Sequence, residues 1–344
     1  MLSFILSLFP TRNKLRVSSF YQLLTGKKTT SVLIFGFLNE LLPAHSSLPE
    51  LTQETYQQRL TELETSGLIQ IEENEVFLTT RGRERQEKLN VLYPELHFDL
   101  YGRNWEEVWR LTKFAIQVVS YLAVSQSDYL PAETSPFYTT RIKSWLAHSD
   151  CSKEQLADTF YHELSACLSK LTTEQANLLA NQFSGFEQIG LLPYQLIETN
   201  EDETTIYLQQ AQAVHAFLSQ LKQFPDFLLA QLLLPVVAQN YNQSMLVTRQ
   251  LFLEGYSLTE IMARRHLKKG TITDHLVEWA LFLDDFPFDQ LISKETNQLL
   301  ASQTAPVQTW RYQELNETGT LDYGEFRFYQ IRALKGGQKD ELIS

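Results

Sequence analysis

Cysteine is nearly absent. Two residues, Cys151 and Cys167, occur in 344, too few for a disulfide framework or a four-ligand zinc ribbon. His162 falls between them in one helical-looking run, but a fourth ligand is missing, so a reduced chain without metal or cofactor is expected. Long apolar runs are missing as well. No stretch approaches the about 20 uninterrupted apolar residues of a membrane helix, which predicts a cytoplasmic protein with no membrane partner. The opening "MLSFILSLFP" has neither a basic region before its short run nor a small-residue cleavage site, so it reads as a segment packed on the first domain rather than a signal peptide. "KDEL" at 339–342 is followed by Ile343 and Ser344 and is not a terminal retrieval signal.

Catalytic signatures are also lacking. "TGKKT" (25–29) has the look of a phosphate-binding loop, but position 21 is Tyr where Gly is needed, and Lys28 intervenes before Thr29. "GFEQIG" lacks the Gly-x-Gly turn of a dinucleotide fingerprint. None of the seven histidines belongs to an HExxH pair or a nucleophile elbow. His275 is expected to pack under the last helix of its motif or to cap it. The expectation is therefore a protein that is not an enzyme.

Each end of the charge distribution lacks one sign. From Met1 to Asn39 there are five basic residues (Arg12, Lys14, Arg16, Lys27 and Lys28) and no acid, whereas 151–240 has no arginine and three lysines against ten acids, a net of −7. The formal charge of the whole is −12. The middle should repel a phosphate backbone.

What is present is an ordinary globular composition, 43% apolar and 20% charged, in a chain long enough for two or three domains. The expected class is mainly α: an N-terminal winged helix with a short β-hairpin (1–100), an acidic helical domain (101–240) and a C-terminal helix-turn-helix domain (241–344). In the first, Thr52 is placed to cap a helix whose Tyr56, Leu60 and Leu63 share a face, with Gly67 at its stop. Ile69 and Ile71, a Glu73-Asn74 turn, then Val76 and Leu78 predict the hairpin. "LTTRG" (78–82) opens another helix through Lys88, and Thr29–Leu41 is the predicted earlier helix. Glu72, Glu73 and Glu75 crowd the wing tip, where a DNA-binding wing would carry Arg or Lys.

In the middle, Trp105, Val108, Trp109, Thr112, Ala115, Ile116 and Val119 define one amphipathic helix, and 130–140 reads as a loop. Helices before Gly185, over 192–198 and from about Thr204 follow a sigma-factor-like order, although the turn "TNEDE" (199–203) is long and acidic. A plain helical bundle fits this spacing equally well.

"GYSLTEIMARRHLKKGTITDHL" (255–276) is the most informative stretch. Met245–Glu254 forms a first helix, Gly255 suits a left-handed stop, and Ser257 with Glu260 makes a capping box. Ile261 and Ala263 face inward, and this second helix stops near Leu267. Thr271 and Asp274 resemble a further cap, and Ile272, Leu276, Ala280 and Leu283 recur at helical spacing: a helix-turn-helix order. A DNA-bound version places Thr271, Thr273, Asp274 and Glu278 toward base edges, and Arg264, Arg265, Lys268 and Lys269 toward phosphates. The two carboxylates oppose groove reading, so phosphate contact through Arg264, Arg265, Lys268, Lys269, Thr271 and Thr273 is expected at most, with a solvated lysine-rich turn as the alternative.

The 251–280 pattern of Gly255, Ser257, Glu260, Ile261, Arg265, Leu267, Thr271, Ile272, His275 and Leu276 resembles the helicase-associated helix-turn-helix of bacterial RecQ-type helicases, departing from it at Met262 and Gly270. With "YQLLTGKKTTS", "FSGFEQIG" and "LDYGEFRFYQIRAL", the layout is similar to the YpbB family of Gram-positive bacteria. That resemblance implies a non-enzymatic accessory or adaptor of a RecQ-type helicase in DNA repair or recombination, binding the helicase, DNA, or both. It supplies no catalytic residue and no oligomeric state. A sequence-specific helix-turn-helix transcription regulator is the alternative.

Overall fold

The computed structural model describes residues 1–10, 14–89, 95–149, 151–197, 202–317 and 319–341. Among them are twenty α-helices and one three-stranded sheet, so the chain is mainly α. It forms two compact units: Met1–Gly26 with Leu42–Asn240, and Lys27–Leu41 with Tyr241–Ser344. The boundaries drawn from sequence lay near 100 and 240; the two units divide at 240 and on either side of residues 27–41, with no division near 100.

The first unit begins with the winged helix. Its strands are β1 (Leu15–Arg16), β2 (Ile69–Glu72) and β3 (Glu75–Leu78), antiparallel in the order β1-β3-β2. Ile69 pairs with Leu78 and Glu72 with Glu75, so the turn falls on Glu73-Asn74, as the alternation of apolar residues required. Thr52 accepts the Thr55 N–H and starts the Gln53–Thr65 helix, which buries Tyr56, Leu60 and Leu63. Tyr56 donates from its hydroxyl to the Val17 carbonyl at 3.0 Å and packs on Phe20 and Tyr21. The helix preceding it in this unit is therefore Val17–Leu24, not the 29–41 segment expected from sequence. That segment forms the Thr30–Leu38 helix of the second unit. Its uniform apolarity suits a helix buried on several sides, and periodicity alone could not say against what.

Thr79 caps the Thr80–Glu87 helix by accepting from Gly82. Gly82 itself is required by proximity: a Cβ there would lie 1.9 Å from the Leu68 carbonyl oxygen. Gln86 reaches back to donate to the carbonyls of Leu6, Ser7 and Phe9. It thereby closes the Leu2–Ser7 helix, whose Phe4, Ile5 and Leu6 are buried. The opening apolar run thus packs into this domain.

The rest of the unit is a helical bundle. Trp105–Ala123 runs through its centre with Val108, Leu111 and Ala115 fully buried. The 130–140 loop is shorter than expected, because Ser135 and Pro136 start a helix, Pro136–His148, inside it; proline at a first helical position lacks only an N–H that would have no partner there. Glu163, on the Lys153–Leu168 helix, accepts from the N–H groups of Leu228 and Leu229 and so caps the Leu228–Val237 helix. Pro235 lies inside that last helix. Of the acidic turn "TNEDE", residues 199–201 lie outside the described residues; Asp202 caps the Glu203–Leu221 helix by accepting from Thr205. Cys167 is buried, which pushes its thiol up to about 11, while His162 is exposed. His215 sits among the rings of Phe98, Tyr101 and Trp105 and accepts the His97 N–H at 3.0 Å. Burial, with the neighbouring His97, holds its pKa well below the ordinary value, so it is neutral.

The second unit gathers Thr30–Leu38, Gln243–Leu253, Leu258–Arg265, Lys269–Phe282, Lys294–Ala301 and Tyr323–Glu341. Ile261, Ile272, Leu276, Trp279 and Ala280 form its main core, and Leu300, Trp310, Leu321 and Phe326 form a second cluster beneath the last helix. No described helix is long and apolar enough to cross a membrane.

Candidate nucleic-acid interface

Local chemistry explains the helix-turn-helix. Asn242 accepts from the N–H groups of Ser244 and Met245, starting the first helix two residues earlier than expected. Gly255 follows with φ +93°, a conformation that most side chains disfavour. Ser257 accepts from Glu260 N–H while the Glu260 carboxylate accepts from the Ser257 N–H and hydroxyl, the capping box read from sequence. These bonds hold the Glu260 carboxyl below the usual range. The second helix ends at Arg265, with His266 in the left-handed region at φ 52°. Ile261 is buried as expected, but Ala263 is exposed, because the helix turns only its 261 side inward.

The third helix starts earlier than its hydroxyl residues suggested. Lys268 is the N-cap, with no side-chain capping bond, and Thr271 already lies within the helix, so the Thr271/Asp274 pair is not its cap. Gly270 is in the first turn with nothing within 4 Å of a Cβ placed there. From His275 to Leu281 every residue except Glu278 is buried, and Glu278 is half-buried. Leu283 is only half-buried, since the helix has ended at Phe282. Only the first turn and Asp274 face solvent.

The six residues expected to contact DNA divide accordingly. Arg264 is exposed, its guanidinium 3.9 Å from the Tyr256 ring centre. Lys268 and Thr271 are exposed. Lys269 is exposed but pairs with Asp322 at 2.8 Å, which raises its pKa. Burial alone would raise the Asp322 carboxyl; the bond from Lys269 and the N–H groups of Glu325 and Gly324 outweigh that and hold it low. Thr273 is half-buried, its methyl 3.2 Å from where a Cβ on Gly324 would stand. Arg265 turns inward, donating to the Ser244 carbonyl at 2.6 Å, the Ser244 hydroxyl at 2.7 Å and the Thr248 hydroxyl.

Thr248, which accepts from Arg265, also shares a hydrogen bond of 2.8 Å with His275 Nδ1, its direction set by the imidazole tautomer. Burial first, then the Arg265 charge, lowers the His275 pKa against a weaker pull from Asp274. The relay Arg265–Thr248–His275 joins all three helices of the motif, which is a structural task.

The two carboxylates that spoke against groove reading are engaged within the unit. Asp274 accepts from the Thr30 hydroxyl, 244 residues away in sequence. Glu278 accepts from Asn242 at 2.7 Å; burial raises its pKa, partly offset by Asn242 and the charge of Lys28. The Thr30–Leu38 helix packs on this third helix and brings exposed Lys27 and Lys28 into the same unit as Arg264, Lys268 and Lys269. Sequence reasoning saw both basic groups and had no signal that they belong together.

The winged helix carries a different surface. Glu72, Glu73 and Glu75 are exposed at the wing, with Lys14 bonded to Glu72 at 2.7 Å. The exposed side of Gln53–Thr65 presents Glu54, Glu62 and Glu64, and Arg59 is held by Glu62. On the helix after the wing, Arg81, Arg85 and Lys88 recur at i, i+4 and i+7, all exposed. Their i, i+4, i+7 spacing is itself a sequence signal of one shared helical face.

A family described as a helix-turn-helix domain matches residues 244–333. Protein YpbB of Bacillus subtilis (strain 168) is 27% identical over 228 residues, covering 65% of this chain and 63% of that relative. The chain is similar to YpbB over that stretch. It carries a helix-turn-helix domain at its C-terminal end, and its match spans less than two thirds of the YpbB length. No solved structure matches it.

Proposed function

We propose that this chain is a non-enzymatic accessory protein of a RecQ-type DNA helicase in repair or recombination, and that its helix-turn-helix touches nucleic acid through phosphates rather than base edges. The observation that carries the phosphate part is the exposed first turn of the third helix. Lys268 and Lys269 stand at a helix N-terminus with no side-chain cap, where N–H groups and the helix dipole favour an anion. Arg264 and, in the same unit, Lys27 and Lys28 add positive charge. The buried middle of that helix favours this over base reading, because a recognition helix needs several free side chains along the groove. The helicase part rests on the helix-turn-helix resemblance of residues 251–280.

The test is co-purification with the RecQ-type helicase of the same organism after nuclease treatment, followed by an unwinding assay with and without this chain. A stable complex and an altered unwinding rate are expected. No complex and an unchanged rate would remove the helicase assignment. Selection from random duplex DNA should return no motif; a single preferred sequence would replace this reading with a transcription regulator.

A further inference from the structure

The loop "GFEQIGLLPY" (185–194) places four large apolar side chains in solvent within six residues. Ile189 is 84% exposed, Tyr194 59%, Leu192 50% and Leu191 41%. Single exposed apolar residues need no explanation, but a contiguous group does.

The backbone beneath this group is tied down. Gly185 and Gln188 exchange N–H···O bonds of 3.0 and 3.2 Å. Phe186 N–H donates to the Ser120 hydroxyl at 2.9 Å, and Gly190 N–H to the Ser184 hydroxyl at 3.0 Å. Leu191 N–H reaches the Asn181 carbonyl at 2.8 Å, and Leu192 N–H the Gln195 side chain at 2.8 Å. Neither glycine has space for a side chain, since a Cβ on Gly185 would lie 2.5 Å from Ser120 Oγ and one on Gly190 2.2 Å from the Gln182 carbonyl oxygen. Glu187 is held at φ 58°. A loop fixed this way presents its apolar side chains in one shape, which reduces the ordering cost of binding.

The charge around it selects the partner. Between Lys170 and Lys222 the sequence has no lysine or arginine, and among the described residues Glu174, Glu187 and Glu203 are exposed acids, while Asp202 is bonded to the Met1 ammonium. Such a field disfavours phosphate and favours cationic side chains. We infer that the 185–194 loop is a protein-docking anchor whose occupant is a segment of a partner protein that combines large apolar side chains with lysine and arginine. Ile189, Leu192 and Tyr194 are its central contacts, as buried anchors surrounded by a charged rim carry most interface energy. The inference is independent of the helicase assignment and of the phosphate-contacting turn.

A displayed library of random twelve-residue peptides, panned against the full chain, tests it. Peptides that combine Lys or Arg with large apolar residues should be enriched, should weaken as salt rises, and should lose at least tenfold in affinity on the variant Ile189→Ser with Leu192→Ser. Circular dichroism and a thermal melt should match wild type, since both side chains are exposed. Equal binding to wild type and variant, enrichment of acidic or uncharged sequences, or no enrichment would overturn the inference. Sedimentation is the second readout: self-association of wild type that the variant abolishes would make the occupant a second copy of this chain and overturn the basic-partner assignment.

Discussion

The third helices of the two helix-turn-helix modules share an architecture and differ in what they leave free. In the winged helix, Gln53–Thr65 buries one narrow face and exposes Gln57, Gln58 and three glutamates along its length. In the C-terminal module, Lys269–Phe282 is buried nearly all round after its first turn, and that turn is basic. One helix is long enough to read a groove but carries the wrong charge; the other carries the right charge only at its tip. A helix-turn-helix order therefore specifies how helices pack, while charge and burial decide what they can touch.

Substitution at mid-helix should separate the two most sharply. Trp279→Ala in the C-terminal module removes a fully buried ring that packs on Phe252 and Phe286 and donates to Asp285, and should cost about 3–5 kcal/mol in a urea titration. Gln58→Ala in the winged helix should change stability by less than about 0.5 kcal/mol. A comparable loss in both would mean that the winged-helix face is covered.

A glycine in each module extends the contrast. Gly82→Ala drives a Cβ into the Leu68 carbonyl and should cost about 3 kcal/mol. Gly270→Ala meets nothing and should gain about 0.5 kcal/mol, by limiting the unfolded chain. Thermal melts of the two variants should shift in opposite directions.

Acid should strike both units through a buried histidine of lowered pKa, His215 in the first and His275 in the second. Each has a folded pKa below the ordinary 6.5. Their contribution to stability is full above 6.5; as pH falls below that value the unfolded chain takes up protons that the folded one refuses, and stability drops until the folded pKa is passed. Urea midpoints at about pH 7.5 and 5.5 should therefore differ in wild type, less so in His275→Gln, and least in His215→Gln, whose histidine is the more strongly depressed. An unchanged pH response in both variants would show that other groups dominate.

What was legible in the sequence follows the range of the interaction. The Ser257–Glu260 box, the Thr52 cap and the 69–78 hairpin are set by residues three to nine apart, and each formed as read. The start of the third helix was misplaced because Lys268 caps it with backbone alone, leaving no hydroxyl to mark it. Arg265 looked like a phosphate contact because spacing cannot show that Ser244 and Thr248 wait beneath it. Least legible was the destination of the Thr30–Leu38 helix, whose bond to Asp274 spans 244 residues and leaves no local trace.

The central claim, phosphate contact through one basic turn without base reading, is tested most directly by titrating labelled duplex DNA over a range of salt with wild type and with Arg264→Gln, Lys268→Gln, two exposed cations of the turn. Affinity should fall as salt rises, and the double variant should bind more weakly with a log–log slope shallower by about 1.8, two phosphates at about 0.9 each. Binding that ignores salt, or a slope and affinity unchanged by the double substitution, would contradict it.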